Sequence, residues 1–296
     1  MLIVHHNADP DGHFSGAIAL KANPGASVLG YNYEPDFDQI LTQSVGQEVV
    51  MTDVSPKKWS DMHRLCEVAS RVVWIDHHPS ALREMEAHNT QVLYPNFVPV
   101  FETGKWGACK KTFEYFFPGM PLPPVVEMVA AYDVFRDYGT EKWENSYFPF
   151  RFAVSHLRSP QAVLQAFRLD ASDNTAHWIE RGRAIAQYLD DENQAFVHTS
   201  ALCHETIFTW QGRTYKVLAV NRNLFGDVFK SRDLTRYDFV VGFFAQANEW
   251  KISLRGAGKN IDLSAVAKDF GGGGHKDAAG FYVKTFSDLQ RILPLR

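Results

Sequence analysis

Three short runs in the first half of the chain, LIVHH (2–6), EVVMTDV (48–54) and RVVWIDHH (71–78), are apolar at successive positions rather than at alternate ones. The stretches SGAIALKA and SPKKWSDMHRLCEVAS, between and after them, read as helices. Strands apolar on both faces, separated by helical segments of about 10–15 residues, predict βαβ units and a parallel sheet covered on both sides. Further on, GACKKTFEYFF and PPVVEMVAAYDVFRDY predict helices, the second with Pro123 and Pro124 in its first turn. From residue 173, DNTAHWIERGRAIAQYLDDENQAFV predicts one long amphipathic helix. Beyond it KVLAVN, DFVVGFFAQ and WKISLRG predict strands of a smaller sheet, and DLSAVAKDFGGGGH a helix ending in a glycine loop. The expected architecture is α/β: a parallel-sheet domain over 1–175, a connector helix over 176–200 and a smaller α/β domain over 201–296.

Composition supports two cores, since the chain has 296 residues and 45% hydrophobic content. No apolar stretch reaches the roughly 18 residues of a membrane span, and MLIVHH lacks the basic region of a signal peptide. Three cysteines, Cys66, Cys109 and Cys203, are an odd number without CxxC spacing. Neither a disulfide framework nor a zinc ribbon is supported, and a reducing cytoplasm is the expected setting. The net charge of −4 conceals an asymmetry: residues 201–296 carry 14 Lys plus Arg against 9 Asp plus Glu, or +5, which leaves −9 for residues 1–200. An acidic half suits divalent cations and a basic half suits phosphates.

In parallel sheets ligands bind beyond the carboxyl ends of the strands. Each of the three runs ends in metal-ligand types there: His5 to Asp11 after the first, Asp53 after the second, and Asp76, His77 and His78 after the third. Carboxylates with imidazole and without thiolate suit hard or borderline divalent ions, Mn²⁺ above all. Two His and four Asp suit a pair of such ions sharing a carboxylate, an arrangement that activates water for in-line phosphoryl displacement.

The motifs HHNADPDGH, TDV, IDHHPSA and the distant SLRG with FGGGGHKDAAGF, in this order over residues 5–281, resemble the DHH phosphoesterases. The resemblance is to the branch with a DHHA1 domain, which includes nanoRNases, RecJ-type exonucleases and dinucleotide phosphodiesterases. It implies that His5 and Asp9 hold one metal, that Asp11 and His77 hold the other, and that Asp53 bridges them. A further ligand is expected from a later helix, with Asp133 as the match and Asp137, one turn on along the same face, as second choice. His6 is the residue between the first two motif slots, His13 reads as a helix-start surface position, and Asn7 is a supporting polar contact. Asp76 is expected to orient a ligating imidazole, and His78 to contact the scissile phosphate.

In the second domain the resemblance implies substrate contacts from Arg255, Gly272, Gly273, Gly274 and His275. The implied cofactors are two divalent cations, Mn²⁺ first, with Mg²⁺ or Co²⁺ as substitutes. The implied function is a phosphodiesterase that hydrolyses short RNA or DNA oligonucleotides or linear dinucleotides such as pGpG and pApA to mononucleotides. Its expected partners are those substrates and a second copy of the chain, with no membrane. Three readings compete with it: a 3′-phosphoadenosine 5′-phosphate phosphatase, a RecJ-like single-strand exonuclease and a nucleotide-binding regulator without catalysis.

Overall fold

The computed structural model describes residues 1–33, 37–197, 203–222 and 233–295. The final residues of the expected connector, 198–200, and the first two of the expected second domain fall outside them. The chain divides into two compact units, Met1–Ala186 and Gln187–Arg296.

The first unit opens with β1 (Leu2–His6), α1 (Pro10–Ala22), β2 (Ser27–Tyr31), α2 (Asp38–Ser44), β3 (Glu48–Thr52), α3 (Trp59–Val68) and β4 (Arg71–Asp76). It continues with α4 (Pro79–Ala87), α5 (Thr90–Leu93), β5 (Phe97–Phe101), α6 (Ala108–Phe116) and α7 (Pro124–Asp133). A π-helical turn (Trp143–Tyr147), α8 (Phe148–Val154), α9 (Pro160–Ala166) and α10 (Thr175–Val197) complete it, and the boundary between the units lies within α10.

The five strands form one parallel sheet in the order β2-β1-β3-β4-β5. Strand alternation divides its side chains between two cores. Leu2 and Val4 join Met51, Trp74 and the α3 residues Met62 and Leu65 on one face. Ile3, Val50, Val73 and Ile75 form the other core together with Ala19 of α1. From β1 the chain proceeds to β2 on one side and later to β3 on the other, so the carboxyl ends of β1 and β3 flank the switch point at which open α/β sheets bind ligands.

Helix α1 begins earlier than the apolar pattern predicts. Asp9 is its N-cap, accepting from Gly12 N at 2.9 Å, and Pro10 occupies the first turn, so Asp11 and His13 are helical rather than part of the strand exit. Helix α7, in contrast, stops at Asp133 instead of running on to Tyr138. Phe135 and Asp137 have left-handed backbones, with φ of 53° and 58°, so Asp137 does not continue the face that carries Asp133.

The second unit contains β6 (Cys203–Trp210), β7 (Arg213–Val220), β8 (Phe239–Gln246), β9 (Glu249–Gly256), α11 (Leu263–Asp269), β10 (Gly273–His275), β11 (Ala278–Val283) and α12 (Phe286–Ile292). Its sheet runs β10-β11-β9-β8-β7-β6 and is antiparallel except where β7 meets β8. One face packs Phe239, Val241, Ile252, Leu254 and Phe281 against Val266 of α11 and Leu289 of α12. The expected glycine loop is a turn at Gly271, with φ 79°, leading into β10 at the sheet edge. Among the described residues no helix is long and apolar enough to cross a membrane.

Candidate metal centre

The segments that leave β1, β3 and β4 bring seven buried or half-buried ligand groups together, His6, Asp9, Asp11, Asp53, Asp76, His77 and His78, with Asp133 added from the end of α7. Asp11, His77 and Asp133 form one group: His77 Nε2 lies 3.3 Å from Asp133 Oδ2 and 3.9 Å from Asp11 Oδ2. His6, Asp9 and Asp53 form a second: His6 Nδ1 lies 2.7 Å from Asp9 Oδ2 and 3.5 Å from Asp53 Oδ2. Asp53 joins the two, since its other oxygen, Oδ1, is 3.3 Å from His77 Nε2. Its backbone is left-handed, φ 59°, a conformation that Asp adopts more readily than most residues, and its N–H donates to Ile75 O at 2.9 Å.

The donor atoms fit cations. His6 Nδ1, His77 Nε2 and Asp53 Oδ1 are buried and face one another or the neighbouring carboxylates, without a well-formed hydrogen bond among the described residues. Buried donor atoms that converge on common points in this way suit a cation. Mixed carboxylate and imidazole donors without thiolate suit hard or borderline divalent cations.

His6, not His5, reaches this cluster. His6 shares the face of Leu2 and Val4, whereas His5 alternates to the face of Ile3, where α1 covers it. There its Nδ1 sits 2.8 Å from His6 O and its ring meets the edge of His13 at 5.5 Å. Burial brings the His5 pKa down to about 4, so it is neutral. The motif spacing that favours His5 does not carry information about which adjacent imidazole the pleat turns toward the switch point.

Asp11 is fixed by a helix end. Its Oδ2 accepts from Ala108 N at 2.6 Å and its Oδ1 from Cys109 N at 3.0 Å, at the start of α6, where unpaired N–H groups favour an anion. Gly107 makes this approach feasible, because a Cβ there would lie 2.6 Å from Asp11 Oδ1. Neither contact is legible from the GACKKTFEYFF pattern beyond the glycine at its start.

Asp76 acts on both histidines of its triplet. Its Oδ1 accepts the backbone N–H of His77 at 2.7 Å and of His78 at 3.1 Å, and lies 2.7 Å from His78 Nδ1. The imidazole it orients is therefore His78 rather than the cluster member His77. Burial opposes the charged form of His78, but the hydrogen bond and charge of Asp76 outweigh it and hold the pKa above the usual imidazole range.

The same competition runs through the cluster. Burial opposes a charge on His6, but Asp53 and Asp9 outweigh it and push the pKa up to about 11. His77, where burial is outweighed by Asp53 and Asp11, rises to about 10. Burial, followed by the nearby Asp53, raises Asp11 to about 7, and burial, followed by Asp11, raises Asp133 to about 7. Crowded carboxylates cannot all ionise without cations among them.

In the second unit Arg255 is half-buried on β9, where its Nη1 donates to Leu254 O at 2.9 Å. Register places Arg255 opposite Ala278 and Ala278 opposite position 275, so the two sequence-selected positions lie on one row of the sheet. The glycines have packing reasons of their own. A Cβ on Gly272 would meet Gly280 O at 2.1 Å, and one on Gly274, whose φ is 138°, would meet Ala278 O at 2.5 Å. Only Gly273 of the three faces open space.

Residues 229–295 match the family model of the DHHA1 domain. An uncharacterized protein of Acanthamoeba polyphaga mimivirus is 26% identical over 271 residues, which are 86% of this chain and 57% of that protein, so the chain spans little more than half the length of this curated relative. Among solved structures, a pGpG-specific phosphodiesterase from Vibrio cholerae aligns over 98% of this chain and 95% of its own, with a TM-score of 0.54 at 11% identity. RecJ from Thermus thermophilus in complex with Mn²⁺ aligns over 95% of this chain and 49% of its own, with a TM-score of 0.46 at 18% identity. The Vibrio likeness shows a shared two-domain α/β fold. The family match is thus confined to the C-terminal part of the chain, where residues 229–295 form a DHHA1 domain.

Proposed function

We propose that the protein is a divalent-metal-dependent phosphodiesterase, with Mn²⁺ as the metal, that hydrolyses linear dinucleotides and very short oligonucleotides to mononucleotides. The observation that carries this reading is Asp53, whose two oxygens face two separate ligand groups. The activity named for the Vibrio structure, acting on pGpG, agrees in substrate class.

His6, Asp9 and Asp53 would hold one cation, and Asp53, Asp11, His77 and Asp133 the other. Bound there, the pair supplies Lewis acidity that lowers the pKa of water and neutralises charge at phosphorus. The chain's own residues do the rest. Asp11 is locked by the α6 amides, so its oxygens keep their position as charge changes around them. His78 is the proton donor to the leaving oxygen: Asp76 orients its ring through Nδ1 and stabilises the charged form, leaving Nε2 to give the proton. Arg255 contributes a bidentate phosphate contact, joined by position 275 on the same sheet row and by the backbone at Gly273. Gly272 and Gly274 serve the fit of β10 against β11.

The test is Mn²⁺-dependent turnover of a dinucleotide set against a 24-mer. Faster hydrolysis of the dinucleotide, abolished by chelator, is expected. Faster cleavage of the 24-mer would reject the short-substrate reading, and no cleavage of either would reject the phosphodiesterase.

A further inference from the structure

Beside the metal-ligand cluster a cavity with about 390 Å³ of empty volume, part of it open to solvent, is lined by Asp9, Asp11 and Asp133 on one side and by Tyr132, Phe150 and Arg151 on another. Arg151 lies in the last turn of α8. Its Nε is buried and has no hydrogen-bond partner among the described residues. The guanidinium centre sits 5.6 Å from the centroid of the Tyr132 ring and 5.3 Å from that of Phe152, within cation–π reach of both.

An arginine with a buried N–H lacking an acceptor is incomplete in the protein alone. The carboxylates of the same cavity do not complete it, since Arg151 forms no ion pair with them among the described residues. An anion from outside the chain would supply the missing acceptor. A planar guanidinium offers paired donors that match two oxygens of a phosphoryl group.

Resting on the phosphodiesterase reading above, we propose that this cavity is a phosphate subsite of the first domain, in which Arg151 binds non-bridging oxygens of a phosphoryl group adjoining the metal cluster. The ligand class is a phosphate monoester or diester. The wall of Tyr132 and Met128 suits the sugar or base that the phosphate carries.

The experiment compares wild type, Arg151→Met and Arg151→Lys in two measurements: affinity for inorganic phosphate and for GMP by calorimetry with Mn²⁺ present, and kcat and KM on pGpG. Arg151→Met is expected to weaken phosphate and GMP binding about tenfold or more and to raise KM by a similar factor with an unchanged melting temperature, because it keeps the stem and removes the donors. Arg151→Lys keeps the charge without the fork and is expected to fall between the two; it decides the matter if the methionine variant does not fold. Phosphate and GMP affinities within twofold of wild type in the folded variants, or no binding of either probe to wild type, would overturn the subsite even if pGpG is cleaved. Weakened binding in the variants of a protein that cleaves no phosphodiester would keep the subsite and reject the reading of function.

Discussion

Asp53 Oδ1 lies 3.3 Å from His77 Nε2, and both atoms are buried without a well-formed hydrogen bond among the described residues. The second oxygen of the same carboxylate faces His6, 3.5 Å away. One side chain at the β1/β3 switch point thereby links two ligand groups that come from four separate segments of the chain. A carboxylate so placed would hold two cations at once, and these would supply Lewis acidity to a phosphoester.

Exchange of the adjacent histidines separates geometry from motif spacing. His6→Ala is expected to reduce dinucleotide turnover at least about 100-fold and to lower the Mn²⁺ content from two ions to one per chain. His5→Ala is expected to keep both ions and to cost roughly 1–3 kcal/mol of stability, because it empties a buried site against His13. Metal analysis and thermal unfolding of the two variants check this; loss of a metal in His5→Ala would reverse the assignment.

Asp53 is constrained by both charge and backbone. Asp53→Asn tolerates φ 59° and is expected to fold with an unchanged melting temperature while losing about 10³-fold in turnover. Asp53→Ala loses the same activity and adds roughly 1 kcal/mol of left-handed strain. Turnover and calorimetric unfolding distinguish the two contributions.

Gly107→Ala tests the anchoring of Asp11 without touching a ligand. Its Cβ would lie 2.6 Å from Asp11 Oδ1, so the carboxylate must leave the α6 amides. Turnover is expected to fall at least about tenfold, toward that of Asp11→Ala, and the Mn²⁺ titration to weaken. A variant as active as wild type would show that the amide contacts are dispensable.

Metal binding is expected to release protons near neutral pH. His6, raised to about 11, and His77, raised to about 10, carry protons at pH 7 in the metal-free chain and must lose them to ligate. Asp11 and Asp133, both raised to about 7, are partly protonated there. Raised pKa values stabilise the metal-free fold at low pH: for the two carboxyls that contribution is lost as pH climbs from the unfolded value near 3.8 through about 7. Mn²⁺ affinity therefore rises from pH 6 to pH 8 while the melting temperature of the chelated protein falls. Calorimetry in buffers of different ionisation enthalpy measures the protons released, and a binding heat independent of buffer would contradict it.

Much of the site was legible in the sequence because the strands of a parallel sheet all end on one rim. The apolar runs that became β1, β3 and β4 located Asp9, Asp11, Asp53 and His77, and the helical pattern before Asp133 located the fifth carboxylate donor of the cluster once Asp76 is counted. What was not legible depends on single torsions and on distant backbone. The choice between His5 and His6 follows from the pleat phase of β1, which both residues satisfy as apolar-run endings. The stop of α7 follows from left-handed Phe135, a conformation that no turn residue announces. The α6 amides on Asp11 and the orphaned Nε of Arg151 are products of packing, for which residue type alone gives no signal. The edge strand β10 was hidden because four consecutive glycines read as flexible chain, although two of them are there to admit β11.

The bridging role of Asp53 is tested most directly by anomalous diffraction from crystals soaked in Mn²⁺. Two peaks are expected, one beside Asp53 Oδ2 with His6 and Asp9, the other beside Oδ1 with His77, Asp11 and Asp133. A single peak, or two peaks of which neither touches Asp53, would contradict the two-metal centre.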